Sequence, residues 1–220
     1  MSAQFDMAQA RFNMVEQQVR TWDVLEHRVL DVLHAIPRER FVSAGQANLA
    51  YADLALPLAH GEYLFKPVLD GRILQSLNPT ADEDVLEIGT GSGYLTACLA
   101  QLSRRVTTVD LHADLLTEAR AAATAANVHN IEYVHADAFA AFIPKQRFDC
   151  IVLGGAVATI PAIVWQWLKP HGRIFAVRGV SPAMEAVLLR GSAQAATHTS
   201  LFETDVPYLH GCAPIKKFVF

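Results

Sequence analysis

The run VLEIGTGSGYLTACLA, residues 85–100, places glycines at 89, 91 and 93 between an apolar stretch of strand character and an apolar stretch of helical length. Glycines there let the backbone turn sharply and approach a ligand with no Cβ in the way. A helix that starts at such a loop presents unpaired N–H groups and positive dipole potential to whatever binds. Asp110 ends the next apolar run, RVTTVD, where a carboxylate can hold the two hydroxyls of a ribose. Glycines alone form turns of no fixed function. Glycines after a strand, before a helix, and followed by a strand-end aspartate form a nucleoside-cofactor constellation. The candidate contacts are Glu87, Gly89, Thr90, Gly91, Ser92 and Gly93 in the loop, with Asp110 and Leu111 after the second strand.

Spacing then separates the cofactor classes. The dinucleotide fingerprint is GxGxxG, whereas this loop reads GxGxG, and the fingerprint's last glycine falls on Tyr94. Glu87 stands just before the loop, where its charge repels a pyrophosphate and tolerates a cofactor that carries an ammonium group.

The elements that hold this loop follow from the pattern around it. From Asp84 onward, short apolar runs alternate with helical stretches. DVLEI (84–88), RVTTVD (105–110), IEYVH (131–135), FDCIVL (148–153) and GRIFAV (172–177) read as strands, with helices near 93–102, 114–126 and 160–168. This alternation predicts an α/β fold: right-handed parallel crossovers and a mostly parallel twisted sheet with helices on both faces. Two further β-like stretches, near 184–190 and 198–206, lack an intervening helix and are expected to pair antiparallel at the sheet edge. Upstream, the first third reads as a helical extension. An amphipathic piece runs from Ala8 to Val19. Asp23 and Glu26 read as a capping box, before an apolar face of Leu25, Val29, Val32, Leu33 and Ile36 that Pro37 ends. A third helix is expected from Val68 to Leu77. NPTADE (78–83) is a hinge of turn formers, so the expected division is a helical cap with a substrate loop over 1–78 and a cofactor-binding core over 79–220.

Composition narrows the class further. A chain of 220 residues suits one compact domain with its own core. Eighteen basic against 22 acidic side chains, with no basic run, argue against a nucleic-acid surface. Cys98, Cys150 and Cys212 are far apart and form no CxxC pair, so they read as reduced core residues. The nine histidines include no i, i+4 pair, so no metal site is expected. The opening MSAQFDMAQARF shows no apolar signal region and no stretch reaches membrane-spanning length, so a cytoplasmic protein is expected.

The pattern E-x-G-x-G-x-G at 87–93 resembles motif I of the class I S-adenosylmethionine methyltransferases, which have a Rossmann-like fold. That resemblance implies S-adenosyl-L-methionine as cofactor, its methionyl part on the glycine loop. It also implies a role for Asp137 and Ala138 in HADAF, where such enzymes place an acidic residue for the adenine amino group. The other reading of Asp137 is a helix N-cap. LKPHGRIFAV (168–177) is similar to the family turn into the fifth strand. MVEQQVR (14–20), RVLDVLHAIPRERFV (28–42) and YADLALPL (51–58) narrow the resemblance to the protein-L-isoaspartate O-methyltransferase family across nearly the whole chain, the tail from about 182 matching least. The resemblance implies methyl transfer to the carboxylate of isoaspartyl residues in damaged proteins, a protein-repair activity.

One segment departs from it. In the family, the residues after the LP pair read approximately GxGQTIS with a proline two positions on, and the Ser is implicated in the active site. Here the segment is AHGEYLFKP: Gly61 and Pro67 are kept, while Glu62, Tyr63 and Phe65 replace Gln, Thr and Ser. A Phe cannot make the hydrogen bond of a Ser, and it adds volume to the pocket. Phe65, with His60, Glu62 and Asp53, is therefore the candidate acceptor-side set. Tyr63 and Phe65 have a second reading as aromatic core anchors, and His60 and Glu62 as solvated loop polars. Three functional readings stay open: the isoaspartyl methyltransferase, a methyltransferase for a different small acceptor, and a cofactor-binding protein with little isoaspartyl activity.

Overall fold

The computed structural model describes residues 6–215. Its centre is a seven-stranded sheet in the order β5-β4-β3-β6-β7-β8-β9. The strands are β3 (Asp84–Ile88), β4 (Arg105–Asp110), β5 (Ile131–His135), β6 (Phe148–Val157), β7 (Leu168–Val180), β8 (Ala183–Arg190) and β9 (Thr197–Thr204). Pairing is parallel from β5 through β7 and antiparallel from β7 to β9, so the tail stretches pair at the edge as their sequence implies. Every residue of β3 is buried, as a central strand covered on both faces requires.

The chain runs β3, β4, β5 outward, then returns to lay β6 against β3. This reversal opens a crevice beyond the carboxyl ends of the central strands, which is where ligands bind in open α/β sheets. Helices α4 (Tyr94–Leu102) and α5 (Ala113–Ala125) cross over between β3, β4 and β5. On the same side pack the N-terminal helices: α1 (Met7–Asn13), which continues with π-helical geometry over Met14–Val19, α2 (His27–Ala35) and α3 (Pro67–Leu77). Met14, Leu33 and Leu74 share one buried cluster with Val85 and Phe175, so the extension and this face of the sheet have a common core.

Several local expectations change. Asp23 and Glu26 form no capping box. Asp23 is left-handed, with φ 64°, and Leu25 is exposed. The Gln75 side chain of α3 instead takes the N–H groups of Leu25 and Glu26, at 2.6 and 2.9 Å, and donates to the Asp23 carbonyl. The cap is thus tertiary, supplied from α3, and spacing within 23–26 cannot show it. The helix expected over 160–168 shrinks to α6 (Val164–Trp167). Strand β6 runs on to Val157, and β7 begins at Leu168 rather than 172. Finally, ALPLAHGEYLFKP contains a small hairpin. Strand β1 (Leu56–Pro57) pairs antiparallel with β2 (Tyr63–Leu64), with residues 59–61 as its tip.

Candidate functional site

A cavity opens at the sheet crevice. Its walls come from the glycine loop (Glu87 to Ser92), Asp110 to His112 after β4, Ala136 to Phe139 after β5, Gly154 of β6, and Glu62 to Phe65 of the hairpin. Four distant pieces of sequence singled out above therefore meet in one place.

The loop is shaped by its own hydrogen bonds. Gly89 N–H donates to Val109, Gly93 N–H to Thr90, and Gly91 N–H to Asp110 Oδ2 at 3.0 Å. Tyr94 N–H reaches Ser92 Oγ. Of the helix-terminal donors expected from the sequence, those of Gly93 and Tyr94 are thus committed to holding the turn. Gly93 does not line the cavity. It caps α4 at φ 82°, and a Cβ there would lie 2.5 Å from the Ala119 Cβ, so its service is close packing of α4 on α5.

Asp110 is 7% exposed, and its other oxygen accepts from His112 N–H at 2.9 Å. The carboxylate ties the loop to the end of β4. It has lone pairs to spare for a diol, since a carboxylate offers about four acceptor sites. Leu111 is 39% exposed beside it. Asp137 Oδ1 accepts from the N–H groups of Phe139 and Ala140, so it caps a turn rather than a helix, and Ala138 is buried in the wall behind.

Glu87 is fully buried. Its carboxyl accepts from the hydroxyls of Thr96 and Thr108, the latter at 2.7 Å, and Thr108 also pairs with Thr90 at 2.6 Å. Burial pushes its pKa up to about 8, against the lowering effect of the two hydroxyls, while the charges of Asp110 and Asp70 add to the rise. The expectation of a standing negative charge before the loop is corrected accordingly: without a cation nearby, the group is largely neutral at pH 7.

Sequence reasoning missed Asp70. It sits on α3, 0% exposed, and lines the same cavity. Its Oδ2 is 2.5 Å from Arg38 Nη1, and its Oδ1 is buried with no hydrogen-bond partner among the described residues. Burial raises its pKa to about 6 in spite of Arg38. Arg38 also donates to the carbonyls of Ala50 and Phe65 and lies over the Tyr94 ring, 4.6 Å from the centroid. A lone aspartate in an apolar helix gives no motif, so only the fold reveals it. Leu209 and His210 were missed for a similar reason. The chain after β9 returns along β6, with Leu209 N–H donating to Ala156, and closes the cavity.

The acceptor-side candidates divide. Phe65 is partly buried against the core, and Tyr63 is 46% exposed. Both line this cavity and also a second one beyond it, whose wall includes Asp53, Lys66 and Arg72. His60 and Glu62 do not face each other. His60, left-handed at φ 61°, bonds Asp114 Oδ2 at 2.7 Å and stacks on His112 with centroids 4.0 Å apart and planes 6° off parallel. Glu62 lies 4.0 Å from His112 Nε2. His60, His112 and Asp114 offer ligand atoms within 4.8 Å of one another. Nearly parallel rings, however, aim their lone pairs along separate planes rather than at one point, so the group is a clasp of the hairpin to α5. The cavity as a whole suits a nucleoside whose other end is cationic: a loop without Cβ at positions 89 and 91, a diol acceptor at Asp110, and buried carboxyls at the far end.

Residues 9–199 match the family model described as Protein-L-isoaspartate(D-aspartate) O-methyltransferase. The chain is 33% identical over 166 residues to the protein-L-isoaspartate O-methyltransferase of Serratia proteamaculans, covering 76% of this chain and 80% of that one. It is 35% identical over 151 residues to the enzyme of Vibrio parahaemolyticus, covering 69% and 73%. Among solved structures, it is similar to a protein-L-isoaspartate O-methyltransferase at TM-score 0.80 and 20% identity, over 92% of this chain and 67% of that one. A second, from Plasmodium falciparum, is described as a protein of the same activity in complex with S-adenosyl-L-homocysteine. It matches at TM-score 0.76 and 16% identity, over 94% and 99% of the two chains. At these identities the structural likeness is one of fold. No described helix is long and apolar enough to cross a membrane.

Proposed function

The chain belongs to the protein-L-isoaspartate O-methyltransferase family, and from that premise we propose that its two cavities are the two halves of one transfer site, cofactor on the glycine-loop side and acceptor on the other. The reaction is methyl transfer from S-adenosylmethionine to the carboxylate of isoaspartyl residues in proteins, a repair chemistry. The observation that carries the two-cavity reading is that Tyr63 and Phe65 line both cavities, so the wall between cofactor and acceptor is the hairpin itself.

Bound S-adenosylmethionine supplies a methyl group already activated on a sulfonium. The acceptor carboxylate is ionised at neutral pH, so no general base is needed. What the protein must do is hold the two partners in line and exclude water. Asp110 and Leu111 receive the ribose end, Asp137 and Ala138 the adenine, and Glu87 with the Gly89–Ser92 turn the methionyl end. On the acceptor side, Lys66 and Arg72 are the cations available to the carboxylate, on a wall that also carries the acids Asp53, Glu203 and Asp205. Residues up to 78 act as a cap that carries the hairpin over the core. Arg38 fixes the hairpin by binding the Phe65 carbonyl, and the His60–Asp114 contact pins its tip to α5.

The test is incubation with an isoaspartyl peptide and methyl-labelled cofactor. The expected product is a base-labile ester that releases labelled methanol. A second reading keeps the cofactor and changes the acceptor. It is favoured by Phe65, which puts an aromatic ring where the family has a Ser. Cofactor binding with no ester formed would select it.

A further inference from the structure

Asp70 has one use the fold explains and one it does not. Its Oδ2 answers the buried charge of Arg38. Its Oδ1 is buried, unpartnered among the described residues, and belongs to the lining of the cofactor cavity. A buried acceptor left without a donor bears its full desolvation penalty, and native proteins seldom leave one unless something else fills it. Glu87 is the other carboxyl at this end of the cavity. It is near enough for the Asp70 charge to help hold its proton in place. Two buried carboxyls beside a glycine turn, with one oxygen still open, form a receptor for a compact cation with several N–H donors.

We propose that Asp70 is a cofactor-binding residue: its Oδ1 accepts a hydrogen bond from the α-ammonium of S-adenosylmethionine, with Glu87 completing an acidic seat for that group. The inference rests on the methyltransferase reading and adds to it a residue from the helical extension, outside the glycine motif. It also gives the Arg38–Asp70 pair a function. Arg38 holds Asp70 on one oxygen and the Phe65 carbonyl on the other side, so the amino-acid end of the cofactor and the acceptor wall share one buried guanidinium. Only a ligand with an ammonium uses this seat. A nucleoside thioether without the amino-acid tail does not reach it.

The experiment compares S-adenosylhomocysteine with 5′-methylthioadenosine, which keeps the nucleoside and sulfur and lacks the amino acid, by isothermal titration. In Asp70→Asn, S-adenosylhomocysteine should weaken by about 10- to 100-fold, the range of one charge-assisted hydrogen bond. Methylthioadenosine should change by less than about twofold, because additivity holds for contacts that are not shared. An equal loss for both ligands means Asp70 only supports the fold, and no loss for either means Oδ1 has no ligand. Both results overturn the proposal. If Asp70→Asn does not fold because Arg38 is left without a counter-charge, the double variant Arg38→Met, Asp70→Asn removes both charges and is read by the same ratio. Failure of the unaltered protein to bind S-adenosylhomocysteine at all would instead overturn the methyltransferase reading.

Discussion

Arg38 Nη1 and Asp70 Oδ2 lie 2.5 Å apart in a pair whose side chains are both 1% exposed or less. Such a pair adds little net stability over an apolar substitute, but either member alone is costly. Arg38→Met should therefore lower unfolding free energy by about 3–5 kcal/mol. Pairing it with Asp70→Leu should recover most of the loss. Urea denaturation of the three proteins at pH 7.5 measures both. If the double variant is no better than the single, the guanidinium's bonds to Ala50 and Phe65 matter more than its charge.

Glu87 gives a pH test with a definite sign. Burial raises its folded-state pKa from the ordinary 4.5 to about 8, so between those values the folded chain keeps a proton that the unfolded chain has lost. The stabilising contribution is whole below pH 4.5 and is lost as pH rises through 8. The stability of the unaltered protein minus that of Glu87→Gln should fall by up to about 1.4 kcal/mol per pH unit across this window. Urea midpoints for both proteins at pH 5, 6.5 and 8, taken without cofactor, read the slope. Parallel curves would mean that Glu87 is ionised in the folded state.

These two residues also mark what sequence can and cannot show. Glu87 is legible because it stands in a motif whose strand, turn and helix are continuous along the chain. The parallel sheet is legible for the same reason: its apolar runs and helices alternate in order, and the order dictates the crossovers. Asp70, Gln75 and Leu209 are not legible, since each acts across more than 30 residues of sequence on a partner that only the folded chain brings near. Local signals misled where tertiary bonds replaced them. Asp23 and Glu26 have capping-box spacing, yet the cap comes from Gln75. His60 and Glu62 are neighbours in the loop, yet their partners are Asp114 and His112.

Gly93→Ala should separate packing from ligand contact. The new Cβ would meet Ala119 at 2.5 Å, on a backbone with φ 82° that L residues rarely adopt. Strain and overpacking together should cost about 2–4 kcal/mol. Gly61→Ala shares a positive φ, 78°, but its Cβ meets nothing within 4 Å, so it should cost only about 1–2 kcal/mol. Melting temperatures of the two variants give the comparison. A Gly93→Ala protein as stable as Gly61→Ala would mean that α4 and α5 can part without cost.

Phe65→Ser tests the acceptor wall. The Phe65 carbonyl is bound by Arg38 whatever side chain the residue carries, so the backbone should stay in place and present a hydroxyl where the ring was. Losing a partly buried ring from the edge of the core should lower stability by about 1–3 kcal/mol. In exchange, a hydroxyl at the wall between the cavities can hydrogen-bond a carboxylate, and one such bond is worth about tenfold in rate. The expected result is a kcat/KM for an isoaspartyl peptide about tenfold higher, with S-adenosylhomocysteine affinity changed by less than about threefold. A parallel fall in cofactor affinity would show that the ring serves the cofactor side. An unchanged rate with intact cofactor binding would place the acceptor specificity elsewhere in the hairpin, with Tyr63, exposed on the same wall, as the next residue to exchange.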